Sequence, residues 1–292
     1  MPADTLSLAG KTALVTGSGR ETGIGAAIAR AFARNGASVA IHYVSEDSKA
    51  RAEKVALDIS KEFGTKATVV QGGIENEETA KRMVEQVLKD LGVDHIDILG
   101  MAFRRDVNAL ETDRPCILVN NAGAARNTPL LEVKQEQLEY EFSVNVFGVV
   151  YMTQAVVGVG RMPKGGRIIN IGSIASKMLI SPPVYSASKA AMDALTTLWA
   201  GENAAQLGKS HGITVNTLAP GPIPTDMSKE YLVAPDGSPT ALQLSMYEQT
   251  RAANRLGSVE DLADATLLLV SEKSRWITAQ FISVSGGVTG TM

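Results

Sequence analysis

Short, nearly continuous apolar runs rich in β-branched residues alternate along this chain with longer stretches in which apolar residues recur every three or four positions. The short runs read as strands buried on both faces and the longer stretches as amphipathic helices. Their alternation predicts an α/β fold, a doubly wound Rossmann-type parallel sheet of about seven strands with helices on both faces. The strands are expected at Thr12 to Thr16, Ser38 to Tyr43, Ala67 to Gln71, Ile117 to Asn120, Arg167 to Ile171, Thr214 to Leu218 and Phe281 to Val284. Helices are expected at Ile24 to Asn35, Asp47 to Phe63, Glu77 to Leu91, Gln135 to Met162, Val184 to Leu207 and Val259 to Leu269. No Pro/Ser/Gly-rich linker or break in composition divides the chain, so residues 1–292 read as a single domain.

Composition narrows the function. The 28 Lys and Arg residues stand against 31 Asp and Glu, a net charge of -3, which leaves no basic surplus for a phosphate backbone or anionic lipid. Neither a nucleic-acid partner nor a membrane is expected. One cysteine, Cys116, and three scattered histidines, His42, His95 and His211, supply no disulfide and no metal site. The start, MPADTLSLAGK, has neither the basic nor the apolar region of a signal peptide. The apolar stretch Val144 to Val159 is interrupted by Asn145, Thr153 and Gln154 and is too short for a bilayer span, so a cytoplasmic protein is expected.

Chemistry begins at the first strand, which runs into TGSGRETGIG at residues 16–25 and then into an Ala-rich helix. Glycines at such a turn let backbone approach a pyrophosphate, and the helix N-terminus favours its negative charge. At the end of the second strand, an acidic residue would bind the adenosine 2′-hydroxyl and repel a 2′-phosphate. Tyr43 stands there instead, with Ser45 two positions on and Arg20 in the glycine turn, so NADP(H) is favoured over NAD(H). Glu21, Glu46 and Asp47 argue the other way, and Arg20 also reads as a solvated surface residue.

Tyr185 and Lys189, in YSASK, are four residues apart at the start of a helix after the fifth strand, so both lie on one face. A nearby ammonium favours the phenolate of a group whose unperturbed pKa is about 10. Ser173, in INIGSIAS, adds a hydroxyl at the carboxyl edge of the sheet. Asn145, inside the apolar FSVNVFGVV, is a buried polar group that needs a partner, and taken alone it reads as a satisfied core amide.

TGSGRETGIG, NNAG at 120–123, Asn145, Ser173, Tyr185/Lys189, APGPIPTDM at 219–227, RLGSVEDLA at 255–263 and ITAQFISVSGG at 277–287 occur in the order of the short-chain dehydrogenase/reductase family. The chain resembles that family from Gly10 to Gly287, and is most similar to its compact NADPH-dependent ketoreductases, which include 3-oxoacyl-thioester reductases and fungal carbonyl reductases. The resemblance implies an oxidoreductase that passes hydride from NADPH to a ketone, reversibly. Residues to about 125 form the cofactor half and those from about 126 the catalytic and substrate half. Tyr185 is then the general acid or base, and Lys189 lowers its pKa and binds the nicotinamide ribose. Ser173 polarises the carbonyl, and Asn145 holds a water relaying protons from Lys189. Gly17, Ser18, Arg20, Gly23, Ile24 and Gly25 line the cofactor, with Tyr43 and Ser45 near its 2′ position. Asn121, Ala122 and Gly123 line it further along, and Pro220, Gly221, Ile223 and Thr225 lie near its carboxamide.

Three departures from the family pattern stand out. Five residues, Ser18 to Thr22, separate the first two glycines of the motif where the family has three, so Glu21 and Thr22 look inserted. After the third strand, Gly73 replaces the family's Asp at the adenine amine, leaving backbone and the Ile74 side chain to hold the base. About nineteen extra residues, within 98–116, interrupt what the family writes as one continuous DILVNNAG. This segment is expected to be a catalytically silent surface excursion or oligomer contact, the competing reading being a translated intron.

Met227 to Arg251, facing Ile174 to Val184, holds Tyr231, Leu232, Leu242, Leu244, Met246 and Tyr247 with few charges. This set suits a medium-sized, fairly hydrophobic ketone, or else merely closes a lid over the cofactor. The rival readings are an NAD-dependent secondary alcohol dehydrogenase and a non-catalytic dinucleotide sensor on the same fold. An enoyl reductase would space the Tyr and Lys by seven. The resemblance also implies a homotetramer or homodimer packed through the helices at Gln135 to Met162 and Val184 to Leu207.

Overall fold

The computed structural model describes residues 6–93, 116–178, 182–202 and 207–290. Seven strands among them, β1 (Thr12–Val15), β2 (Ser38–Tyr43), β3 (Ala67–Gln71), β4 (Ile117–Asn120), β5 (Arg167–Ile171), β6 (Thr214–Pro220) and β7 (Phe281–Val284), form one parallel sheet in the order 3-2-1-4-5-6-7. The central strands TALV, ILVN and RIINI are buried along their whole length, as strands covered on both faces must be. Leu14 pairs with both Ala40 and Leu118, so β1 sits where the chain, having wound outward through β2 and β3, returns to start the other half at β4. Ligands of open α/β sheets bind at the carboxyl edge of that crossing point.

Helices α1 (Ile24–Arg34), α2 (Lys49–Phe63) and α10 (Val259–Val270) cover one face, burying Ile28, Phe32, Val55, Ile59, Leu262 and Val270 against Val15, Ile41 and Val119. On the other face α3 (Glu77–Leu91), α5 (Gly148–Val157) and α6 (Pro183–Gly201) pack Met83, Val87, Met152, Val156 and Ala200 against Leu14, Leu118 and Ile168. Their ends follow local chemistry. Asn76 accepts from the Thr79 N–H at the start of α3, Ser258 and Asp261 form a capping box on α10, and glycines in the left-handed region, Gly64 and Gly92, end α2 and α3.

The expected helix Gln135 to Met162 is interrupted. It consists of α4 (Gln135–Phe142), a wider π turn at Ser143–Phe147, and α5, which ends at Val157. The π turn falls on Asn145, and such single wide turns free a backbone group from the regular ladder. The expected helix from Val184 begins one residue earlier, with Pro183 at its first position, and α6 ends at Gly201. Short helices α7 (Gly208–His211), α8 (Lys229–Leu232) and α9 (Ala241–Gln249) were not anticipated. The inserted segment 98–116 lies outside the described residues except for Cys116, which is buried beneath the sheet. No helix among the described residues is long and apolar enough to cross a membrane.

Candidate active site

The glycine turn and the loop after β4 are locked together. The Asn121 side chain donates to the carbonyls of Thr16 (2.9 Å) and Gly17 (3.2 Å), and the Thr16 hydroxyl accepts from the N–H groups of Asn121 (2.9 Å) and Ala122 (3.0 Å). Gly17 adopts φ +65°, and a Cβ there would lie 2.9 Å from Ala122 Cα. At Gly25 a Cβ would lie 2.6 Å from the Asn121 amide and 2.8 Å from the Gly17 carbonyl, so both positions require glycine.

Beyond this lock α1 begins bare. Its N-cap, Gly23, offers no side-chain acceptor and its first turn holds no acidic residue, so the N–H groups at Ile24 and Gly25 and the positive end of the dipole face the turn. A pyrophosphate fits that donor set. The Ser18 side chain turns away from it, donating to the Val15 carbonyl (2.7 Å) and accepting from the His42 N–H (3.0 Å). Ser18 therefore builds the turn from beneath, and only its backbone borders the cleft.

At the end of β2, Tyr43 is buried beside Gly19 and Ala52, and that burial pushes its phenol up. Ser45 is exposed, 3.1 Å from the Ser48 hydroxyl. Arg20 is exposed and its guanidinium lies 4.0 Å from the Asp226 carboxylate, which is also 3.7 Å from Arg51. Arg51, three residues into α2, is thus a second cation beside Arg20 that the sequence reading missed. The inserted Thr22 reaches the same carboxylate at 3.5 Å and Glu21 pairs with Lys54, so the lengthened turn is tied to its surroundings at both added positions.

The space over Gly73 is not open. The Glu75 carboxylate folds back so that both its oxygens crowd the place where a Gly73 Cβ would stand. A carboxylate is therefore present where the family has its Asp, supplied from two residues downstream. The Ile74 side chain is buried under α5, where a Cβ on Gly148 would lie 2.6 Å from it, so one side of it is taken up by that helix.

Tyr185, Ser188 and Lys189 lie on the first turns of α6, over the ends of β4 and β5. Lys189 is buried, donates to the Ile171 carbonyl at 2.8 Å, and stands 5.9 Å from the centre of the Tyr185 ring. Ser173 follows β5, accepts from the Ala175 N–H (3.1 Å), and hydrogen-bonds the Tyr185 phenol. Asn145 is fully buried, accepting from the Ala124 N–H (2.9 Å) and donating to the Ala124 carbonyl (2.8 Å) and the Ser188 hydroxyl (2.9 Å). Its side chain is thus the satisfied amide that the residue alone suggested, and Ser188 passes the link on to the Tyr185 carbonyl at 2.8 Å. A Cβ on Gly123 would stand 3.4 Å from the Asn145 oxygen and 3.6 Å from the Lys189 nitrogen. These groups therefore surround one point.

Burial brings the Lys189 ammonium down to about 8, with the Asp193 carboxylate one turn along opposing it. Burial likewise pushes the Tyr185 phenol up; the Ser173 hydrogen bond pulls it down, and the charge of Glu141 adds to the rise. Glu141 was not anticipated. It is fully buried on α4, its Oε1 accepting from the Gln137 amide (2.8 Å) and the Arg126 N–H (3.1 Å), and its own carboxyl is pushed up by burial.

The opposite wall follows β6. The Gly221 N–H donates to the Val284 carbonyl (3.1 Å), continuing the sheet past Pro220. Ser228, also unanticipated, donates to the Ile223 carbonyl (2.5 Å) and accepts from the Thr225 N–H (3.0 Å), so one hydroxyl shapes the IPTDMS loop. The segment beyond forms α8, a turn closed by a bridge between Val233 and Pro239, and α9. Leu232 and Met246 face inward to meet Leu256, while Met227, Tyr231, Leu242 and Leu244 remain exposed. Of the facing stretch Ile174 to Val184, residues 179–181 lie outside the described residues.

The family model for short chain dehydrogenases matches residues 11–234. The chain is 35% identical over 288 residues to the short-chain dehydrogenase/reductase FrzI of a Cladobotryum species, covering 97% of each chain. It is 33% identical over 279 residues to the 3-oxoacyl-[acyl-carrier-protein] reductase FabG of Staphylococcus epidermidis, covering 95% of this chain and 98% of that one. Among solved structures, it resembles the blue fluorescent protein from a metagenomic library in complex with NADPH, at 31% identity and TM-score 0.77, covering 97% of this chain and 100% of that one. A short chain dehydrogenase from Burkholderia cenocepacia in complex with NADP is similar at 30% identity and TM-score 0.77, over 97% and 99% of the two chains. With a match across 11–234 and the site's geometry in the order the motifs require, the chain belongs to the short-chain dehydrogenase family of oxidoreductases.

Proposed function

We propose that the protein is an NADP(H)-dependent carbonyl reductase that converts a fairly hydrophobic ketone to a secondary alcohol, reversibly. The observation that carries this reading is the meeting of Tyr185, Ser173 and Lys189 at one edge of the sheet, within reach of the bare start of α1. The bound dinucleotide would supply the hydride. Ile24 and Gly25 would hold its pyrophosphate, Arg20 and Arg51 its 2′-phosphate, Glu75 its adenine amine, and Lys189 its ribose.

Each side chain has a defined task at the substrate. The Ser173 hydroxyl donates to the carbonyl oxygen, where negative charge develops. Tyr185 gives its phenolic proton to that oxygen, and the burial that raises its pKa keeps the proton in place for reduction. Lys189 stabilises the phenolate left behind. The widened turn at Asn145 leaves a route for a proton to return. Met227, Tyr231, Leu242 and Leu244 favour an apolar substituent. The FabG relative is named as a 3-oxoacyl-[acyl-carrier-protein] reductase, and two similar structures carry NADPH or NADP, in line with a ketone substrate and this cofactor.

Assembly as a homodimer or homotetramer fits the exposed Leu138, Tyr140 and Phe147 along α4 and the π turn, and Leu198 on α6. A chain with one cysteine has no disulfide to lose in the cytoplasm, the proposed location. The test is loss of reduced-nicotinamide absorbance with NADPH and, separately, NADH against a panel of ketones, with Tyr185→Phe as control. Turnover with NADPH that vanishes in the variant is expected. A preference for NADH would overturn the cofactor reading, and turnover in the variant would overturn the mechanism.

A further inference from the structure

His42 is a polar residue in an otherwise apolar strand, SVAIHY, and it is buried at the carboxyl end of β2. Both ring nitrogens are engaged. The Gly17 N–H donates to Nδ1 at 2.8 Å, and Nε2 lies 2.7 Å from the Gly72 carbonyl. An amide N–H can only donate and a carbonyl can only accept, so Nδ1 carries the lone pair and Nε2 the proton. The ring is therefore neutral and in one tautomer.

The backbone of the same residue holds the next part of the turn. The N–H groups of Ser18 (3.1 Å) and Gly19 (3.0 Å) both donate to the His42 carbonyl, and the His42 N–H donates to the Ser18 hydroxyl (3.0 Å). Three consecutive N–H groups of the glycine turn thus end on one residue of β2. Through its ring, that residue also reaches Gly72, beside the Gly73 and Glu75 shelf. The two halves of the dinucleotide cleft, the pyrophosphate turn and the shelf after β3, are joined by a single imidazole.

We propose that neutral His42 is a positioning residue that sets the glycine turn against the β3 shelf, and that its protonation releases Gly17 and weakens dinucleotide binding. The proposal rests on reading this cleft as the dinucleotide site. A second proton at Nδ1 would point at the Gly17 N–H, replacing a hydrogen bond with two opposed donors in a buried place.

The charged groups around the ring are few. From the loop after β3, Glu75 favours the imidazolium. From α3, Arg82, whose guanidinium lies 3.0 Å from the Gln71 carbonyl, carries the same charge as an imidazolium. β1 and the glycine turn contribute Val15, Thr16 and Ser18, which do not titrate in this range. Burial outweighs Glu75 and holds the ring below the ordinary histidine value, so the neutral form prevails at neutral pH.

The test pairs NMR of the ring nitrogens in the whole protein without ligand with calorimetric titration of NADP+ into wild type, His42→Asn and His42→Gln. The ring should read as the neutral Nε2–H tautomer at about pH 7.5. An Asn oxygen can stand at the Nδ1 position and accept from Gly17, whereas a Gln amide can only replace the Nε2 donor to Gly72. His42→Asn is therefore expected to bind within about threefold of wild type at neutral pH, and His42→Gln to bind about tenfold weaker, at similar thermal stability.

As pH is lowered from about 7.5, any loss of affinity in wild type beyond that of His42→Asn, in which titration of the 2′-phosphate is common to both, should set in at the pH where the ring nitrogens take up the second proton. An imidazolium or Nδ1–H ring at neutral pH overturns the proposal, as does a ring that takes up its second proton with no loss of affinity relative to His42→Asn. Wild type that binds neither NADP+ nor NAD+, with the ring in the expected tautomer, overturns the dinucleotide reading and the proposal with it.

Discussion

The Lys189 ammonium donates to the Ile171 carbonyl at 2.8 Å while standing 5.9 Å from the centre of the Tyr185 ring. Burial brings its pKa down to about 8, against about 10.4 in an unfolded chain. The unfolded state therefore binds this proton more tightly, and the stability present above the unfolded value is lost as pH falls from about 10.4 to about 8, below which the loss is complete. Lys189→Met should be inactive yet more stable at neutral pH by about 1–3 kcal/mol, after allowing for the Ile171 carbonyl left without its donor. Melting curves at about pH 7 and about pH 10.5 check this, since the gain must vanish at the higher pH. A variant less stable than wild type at both would show that Lys189 is a structural residue first.

Gly123 lies between the Asn145 oxygen and the Lys189 nitrogen, with room for a methyl group at 3.4 and 3.6 Å. Gly123→Ala should fold normally, with a melting temperature within about 2 °C of wild type, while filling the space through which a proton would travel. Turnover should fall about tenfold, as proton-transfer contributions of this kind do. A normal turnover number in the variant would argue that no water is needed there.

The Glu141 carboxylate raises the Tyr185 phenol, so removing its charge should lower it. Glu141→Gln keeps an oxygen to accept from Gln137 and the Arg126 N–H. The pH profile for alcohol oxidation, which needs the phenolate, should move to lower pH by a fraction of a unit. The alkaline fall in ketone reduction should move the same way. Profiles of kcat/KM that superimpose on wild type would break the link between the two residues.

Glu75 fills the side-chain space over Gly73. Glu75→Ala should weaken NADPH binding about tenfold and, more tellingly, abolish any preference for the adenine over the hypoxanthine dinucleotide, which lacks the amine. Equal preference in wild type would mean that the carboxylate does not touch the base.

All seven strands were legible because each is a short, mostly apolar run, rich in β-branched residues and set between longer helical patterns. Long helices were legible from their periodicity, but the π turn inside Gln135 to Met162 was not, since one wide turn leaves a three-and-four spacing nearly intact. The short α8 and α9 were missed because their exposed Tyr231, Leu242 and Leu244 do not line one clear face. The motif residues Tyr185, Lys189 and Ser173 meet at one edge of the sheet, and Asn121 joins the loop after β4 to the glycine turn. Partners drawn from outside the motifs escaped notice. Glu75, Glu141, Arg51 and Ser228 sit in the site through chain folding alone. His42 did leave a signal: like Asn145, it is a polar residue in an apolar run.

The segment over the cleft has its own miniature interior, in which Leu232 and Met246 pack on Leu256 with Val233 and Tyr247 around them, apart from both faces of the sheet. Because those side chains pack on one another, residues 229–249 can be exchanged as a cassette so long as the packing on Leu256 is kept, with Ser228 and the tie of Arg251 and Ala252 to Gly286 left in place. For the engineer, a change of substrate range is then a transplant of one contiguous piece, carried out while the cofactor cleft and the Tyr185 machinery are left as they are.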